Sequence, residues 1–172
     1  MTAGGAADPA AGVARELADR IAATDVTGDG AIGLGAMGLG VVGVGIDAVD
    51  LDRFRAVMAR RPGLARRLFT DGELAYAALA PDPLPRLATR FATKEAVMKA
   101  LGVGLWSFRL TDVEVARTGS DAPTVALHGA AESLATAAGV TRWHLSLTHT
   151  DTVALAVVVA DGGGGPSTCS RS

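Results

Sequence analysis

Between Pro85 and Gly102 the chain runs without a glycine or a second proline, and Pro81 and Pro83 interrupt the backbone just upstream. This spacing predicts one long helix from about Pro85 or Arg86 to Leu101, stopped at Gly102. The fold must be built around it. The helix carries a carboxylate and two ammonium groups at its heart, in Phe91-Ala-Thr-Lys94-Glu95-Ala-Val-Met-Lys99. Glu95 and Lys99 are four residues apart and share one face, and Lys94 flanks them about one residue's rotation away. Taken alone, a Glu and Lys at this spacing form an ordinary solvated pair contributing only about 0.2–0.5 kcal/mol. In combination with other groups, such a cluster suits a metal-bridged phosphate ester.

A second segment supplies that combination. Val41-Val-Gly-Val-Gly-Ile46 is a β-branched and glycine run that reads as a strand stopping at Asp47, and a helical pattern begins near Asp50. A carboxylate at a strand end is well placed to bind a cation jointly with a carboxylate from elsewhere. From Asp50 to Arg60, Leu51, Phe54, Val57 and Met58 recur with helical spacing. Thr70-Asp-Gly-Glu73 has the form of a capping box and predicts a short helix through Leu79. After the long helix, Leu110 to Val115 and Thr124 to His128 read as strands, and Ala130 to Ala138 as a helix ending at Gly139. Arg142 to Thr148 and Val153 to Val159 read as a hairpin around His149-Thr-Asp151. The order implies an α+β fold with a small, mainly antiparallel sheet packed with helices.

Residues 1–40 depart from the rest, being rich in Gly and Ala with one short amphipathic segment, Ala11 to Ala23. They read as a flexible extension before a domain spanning 41–161, with 162–172 as a Gly/Ser tail. Asp25-Val-Thr27-Gly-Asp29-Gly30 imitates the start of a calcium loop, but Ala36 stands where a bidentate Glu is needed. Gly33-Leu-Gly35-Ala-Met-Gly38 matches a dinucleotide fingerprint in letters, yet it precedes the strand instead of following one. The apolar stretch from Ala31 to Ile46 is broken by glycines and lacks the order of a signal peptide, so a cytoplasmic protein with no membrane span is expected. Cys169 is the single cysteine, which excludes an intramolecular disulfide. A formal net charge of −2 argues against a general nucleic-acid binder. Locally, Arg53, Arg55, Arg60, Arg61, Arg66 and Arg67 form a basic cluster suited to an acidic protein surface.

The pairing of Gly45-Ile46-Asp47 with Phe91-Ala-Thr-Lys94-Glu95-Ala-Val-Met-Lys99 resembles the two signature motifs of the 4′-phosphopantetheinyl transferases. A third segment, Trp143-His-Leu-Ser146-Leu-Thr148-His149, narrows the resemblance to the small holo-acyl-carrier-protein synthase group, and the similarity runs from about Val41 to Asp161. The resemblance implies transfer of the 4′-phosphopantetheine arm from coenzyme A to a serine of an acyl carrier protein, with release of 3′,5′-ADP. It implies Asp47 and Glu95 as Mg²⁺ ligands, and Lys99 as the group stabilising the leaving phosphate. Lys94 and Arg90 are implied as supporting phosphate contacts. Larger superfamily members carry another acidic ligand where this chain has Val49, as expected of the small group. Ser146, Thr148 and His149 are implied to hold coenzyme A phosphates, with Thr148 replacing a serine of the family segment. Arg53, with Phe54 and Val57 beside it, is the expected docking surface for the carrier protein, and a homotrimer with sites at subunit interfaces is the expected assembly.

The residues leave three points open. Glu95 or a metal-bound water could accept the serine proton. A module of the same fold that binds carrier protein or coenzyme A without transfer is an alternative, as is a metal-dependent enzyme acting on another nucleotide ester. Trp143 is expected in the core, and His128 and His144 are assigned no role.

Overall fold

Strand β1 (Val41–Asp50) opens the described part of the chain, and its alternation of small and β-branched residues gives it two unlike faces. The computed structural model describes residues 40–105, 107–117 and 122–162. The N-terminal extension before residue 40, with its amphipathic segment and two motif-like strings, lies outside the described residues, as do Cys169 and nearly all of the tail. Helix α1 (Leu51–Arg60) follows directly, and its first turn is closed by Asp50, whose Oδ1 accepts from the Arg53 amide at 2.8 Å. Helix α2 (Ala65–Leu68) was not expected; four residues are too few to show a helical period. Helix α3 (Asp71–Ala77) begins at the expected capping box, with Thr70 and Glu73 satisfying each other's backbone amides, and ends two residues earlier than predicted.

Helix α4 (Leu84–Ala100) is the long helix, with Pro85 in its first turn. The predicted strand from Leu110 begins as a 3₁₀ turn (Leu110–Asp112), and only β2 (Val113–Ala116) pairs, antiparallel with β3 (Thr124–Leu127). Helix α5 (Gly129–Ala137) leads to the hairpin of β4 (Arg142–His149) and β5 (Val153–Asp161). A three-stranded antiparallel sheet, ordered β1-β5-β4, is thus formed by the two ends of the domain. The arrangement is the α+β architecture with antiparallel sheets that the sequence implied.

Sidedness of the three-stranded sheet decides where the site lies. At Gly43 and Gly45, a Cβ would come within 1.9 and 1.8 Å of the carbonyl oxygens of Ala100 and Ala96, so β1 and α4 touch backbone to backbone. Residues paired across the sheet share a face, which places Asp47, Ala156 and Leu147 on the helix side. The next row, Ile46, Val157 and Ser146, lies on the opposite side, as do Ala48, Leu155 and Thr148. On the helix side Ala154, Ala156, Val158 and Ala160 are buried under α4, continuous with Phe54, Phe91 and Val97 in the core.

One expectation is corrected in β1. Asp47 does not end the strand: β5 extends to Val153 and supplies partners as far as Asp50, so Asp47 is held mid-ladder opposite Ala156.

Candidate active site

Asp47 and Glu95 come from different elements, and the glycine contact brings them together. β1 lies directly against Ala96 and Ala100, and Asp47 and Glu95 stand close enough for the charge of Asp47 to raise the Glu95 carboxyl. Lys99, one turn beyond Glu95, donates from Nζ to Asp47 Oδ1 at 3.0 Å and to the Ile46 carbonyl at 3.1 Å. An ammonium has three donors, so one remains for another acceptor. Lys99 is about half exposed (51%) and Asp47 much less so (14%), which puts the pair at the mouth of the site. Glu95 lines a small recess with Met98, Leu105 and Leu110.

Two oxygens of this group lack a hydrogen-bond partner although they are buried: Asp47 Oδ2 and Glu95 Oε1. Such orphans are costly unless something charged or hydrogen-bonding meets them. The electrostatics say the same. Burial, helped by the negative charge of Asp47 and opposed by Lys99, raises the Glu95 carboxyl to about 8. Burial also raises Asp47, against the pull of the Lys99 ammonium. With both carboxylates ionised, one lysine would leave a negative charge that the chain does not balance. A hard divalent cation that takes oxygen ligands fits this pair, with its other positions left to water and phosphate oxygens. Among the described residues no group of three or more His, Cys, Asp or Glu side chains is placed to hold a metal. Val49 is buried in the core.

Other expected site residues lie elsewhere. Lys94 is a correction: it is fully buried, and its Nζ donates to Glu73 Oε2 at 2.8 Å, to the Leu110 carbonyl at 2.9 Å and to the Val113 carbonyl. Its three donors are consumed, so it does not contact a phosphate. The face opposite the sheet's β1 contact takes it inward toward α3 and β2. Phe54 is a second correction, being fully buried with its ring centroid 5.8 Å from that of Phe91, so it cannot dock a partner. Val57 is half-buried against the core, whereas Arg53 keeps part of its surface. Arg55 forms an exposed pair with Asp82 at 2.8 Å.

Arg90 stands in a basic cluster that sequence reading missed. The guanidinium groups of Arg86, Arg90 and Arg117 lie 4.7, 4.3 and 5.4 Å from the centroid of the Tyr76 ring. Arg86 donates to the Tyr76 carbonyl and Arg90 to the Arg86 carbonyl, both at 2.9 Å, while Arg90 Nε is buried without a partner. The arginines come from two segments and the tyrosine from a third, so only the i, i+4 spacing of Arg86 and Arg90 was visible in the chain.

Ser146 and Thr148 are exposed on β4, on the face of the sheet opposite Asp47. His149 is exposed at the end of the strand in the row of Ala154 and Val49. Within one chain the structure does not bring the hydroxyls to the carboxylate pair. Trp143 packs against the core as expected. His128 and His144 each lie near one carboxylate, Glu114 at 3.5 Å and Asp161 at 3.8 Å.

The family profile of the 4′-phosphopantetheinyl transferase superfamily matches residues 43–158, and the chain belongs to that superfamily. Within it, the chain is similar to the holo-[acyl-carrier-protein] synthase of Streptomyces avermitilis, with 46% identity over 114 residues, 65% of this chain and 90% of that protein. Solved structures agree. The crystal structure of holo-[acyl-carrier-protein] synthase from Neisseria meningitidis superposes with a TM-score of 0.65 at 29% identity, covering 70% of this chain and 98% of that one. The Helicobacter pylori holo-[acyl-carrier-protein] synthase, solved in complex with coenzyme A, gives a TM-score of 0.61 at 26% identity over 69% of this chain and 99% of its own.

Proposed function

We propose that this chain transfers 4′-phosphopantetheine from coenzyme A to a serine of an apo-acyl carrier protein and releases 3′,5′-ADP, in a Mg²⁺-dependent reaction. The observation that carries the reading is the pair of buried, unpartnered oxygens, Asp47 Oδ2 and Glu95 Oε1, beside an ammonium with a donor to spare. The serine oxygen attacks the phosphorus that bears the pantetheine arm, the bond from that phosphorus to the bridging oxygen breaks, and the electron pair leaves with 3′,5′-ADP. Magnesium would supply neutralisation of the pyrophosphate charge in this step. Asp47 and Glu95 would hold it. Lys99, tethered to Asp47 and the Ile46 carbonyl, is placed to meet the leaving phosphate with its remaining donor. The serine proton goes to Glu95 or to solvent held beside it. Arg90 is only 3% exposed, so positive charge for the remaining phosphates would come from the less buried guanidinium groups of Arg86 and Arg117 beside it.

Self-association would complete the site. The face of the sheet turned away from α4 carries Val44, Ile46, Leu155, Val157 and Val159, and Ile46 is 54% exposed. No described element covers it. An apolar sheet face is a natural seam between copies, and Ser146 and Thr148 stand on it, so a homotrimer with Asp47, Glu95 and Lys99 of one subunit near Ser146 to His149 of the next accounts for both facts. A domain of residues 41–161 would suffice for transfer, with 1–40 and 162–172 dispensable.

The deciding experiment is mass spectrometry of an apo-carrier protein incubated with the enzyme, coenzyme A and Mg²⁺. A gain of the phosphopantetheine mass is expected. Binding without that gain would favour a silent module, and release of nucleotide without it a different ester as substrate. Light scattering tests the trimer, as does co-refolding of Glu95→Gln with His149→Ala chains: mixed clefts should recover part of the activity that each variant lacks.

A further inference from the structure

Glu73 and Lys94 form an ion pair in the interior that the transfer reaction does not use. Glu73 is 1% exposed and Lys94 fully buried. Every polar atom of the two side chains is engaged. Glu73 Oε2 accepts from the Thr70 amide at 3.0 Å and from Lys94 Nζ at 2.8 Å, and Oε1 accepts from the Val115 amide at 3.0 Å. Lys94 reaches two further carbonyls, Leu110 and Val113. One carboxylate and one ammonium thus tie together the start of α3, the middle of α4 and the entry to β2. Burial alone pushes the Lys94 ammonium down, and Glu73 pulls it back.

Such a pair is weak evidence for stability, because apolar residues of similar size often do as well or better. Its value here lies in direction. On the opposite side, α4 meets β1 through Gly43, Gly45, Ala96 and Ala100. That surface permits close approach through small groups, while Phe91, Val97 and Met98 pack other sides of α4 and the ion pair is its polar tether toward α3 and β2. Lys94 precedes Glu95 in the chain, so the five hydrogen bonds of the pair fix the azimuth of the residue next to the carboxylate. A turn of about 20° would carry a carboxylate 5–6 Å from the helix axis by about 2 Å. Errors of about 1 Å in such placement can cost about a hundredfold in rate.

We propose that Glu73 and Lys94 are positioning residues that aim Glu95 at Asp47, holding the two carboxylates at the separation a shared cation requires. The proposal rests on the transferase reading given above. Its test is a neutral replacement, Glu73→Gln with Lys94→Met, compared with the parent protein in thermal unfolding, Mg²⁺ titration by calorimetry and steady-state transfer. The expected result is a folded protein whose kcat falls by about ten- to a hundredfold while KM for coenzyme A stays within about twofold. Mg²⁺ affinity should fall about tenfold in parallel. Glu73→Gln alone keeps the ammonium tether to both carbonyls and an amide oxygen for it, and should retain kcat within about threefold.

A folded double variant with parental kcat and Mg²⁺ affinity would overturn the proposal. Loss of the fold would overturn it too, since the pair would then hold the domain together instead of aiming one helix. A second neutral pair, Glu73→Gln with Lys94→Leu, keeps that outcome from resting on the packing of one side chain. Failure of the parent protein to modify any carrier would count against the transferase reading and leave the Mg²⁺ titration to judge the aim of Glu95.

Discussion

Replacing Gly45 by alanine would ask the contact between β1 and α4 to hold a methyl group for which it has no room. The new Cβ would lie 1.8 Å from the Ala96 oxygen, 2.8 Å from its carbonyl carbon and 2.9 Å from the Ala100 nitrogen. All three atoms are helix backbone, so no rotamer change relieves the clash. Reaching an ordinary contact of about 3.3 Å requires strand and helix to separate by about 1.5 Å, and overpacking of this kind typically costs 1–3 kcal/mol, with unyielding sites at or above the upper end. A loss of about 3 kcal/mol lowers Tm by roughly 10 °C in a domain of this size. The same movement parts Glu95 from Asp47, so transfer measured well below the lowered Tm should fall about a hundredfold in addition. Gly63→Ala is the control, because nothing lies within 4 Å of the added methyl. Thermal unfolding followed by circular dichroism and single-turnover transfer would report the two effects separately. A Gly45→Ala protein with the Tm and activity of the parent would refute the claim that backbone contact between β1 and α4 builds the site.

Asp47→Asn and Glu95→Gln should each abolish transfer and weaken Mg²⁺ binding while leaving circular dichroism almost unchanged, because each removes one hard anionic oxygen; activity of both at ordinary Mg²⁺ concentrations would remove the metal site. The metal-free protein should lose stability as pH rises, because Glu95 is raised from 4.5 to about 8 and the folded state holds the proton longer than the unfolded chain. The loss runs from about pH 4.5 to 8 and totals at most about 5 kcal/mol; denaturant titrations should show it flattened in Glu95→Gln and reduced by Mg²⁺. Arg53→Glu should raise KM for the carrier far more than KM for coenzyme A, and added salt should act in the same direction on the parent; equal effects on both substrates would indicate a damaged site instead.

Where local chemistry sets an outcome, the chain could be read directly. Thr70 and Glu73 cap α3 as their spacing predicts, Asp50 caps α1, and the proline-bounded run becomes α4, because caps and breakers act within a few residues. The motif spacing that pointed to Asp47, Glu95 and Lys99 was equally legible; Lys99 pairs with Asp47, and the charges of both act on Glu95.

What a side chain faces across the fold was not in the sequence. Lys94 read as a phosphate contact because the resemblance implied it, but rotation by one residue turned it inward to Glu73, 21 positions away. Phe54 read as part of a docking face because it lies beside Arg53 in the chain, but its ring packs inward against Phe91. The extent of β1 past Asp47 depended on how far β5 runs, and the separation of Ser146 and Thr148 from the carboxylates depended on register, in which a shift of one residue reverses every side chain. Sequence by itself determined which residues could do the chemistry, since residue type and helical period are local. Tertiary structure alone decided which of them stand together, because burial, register and the fit of glycine against helix backbone are properties of segments far apart in the chain.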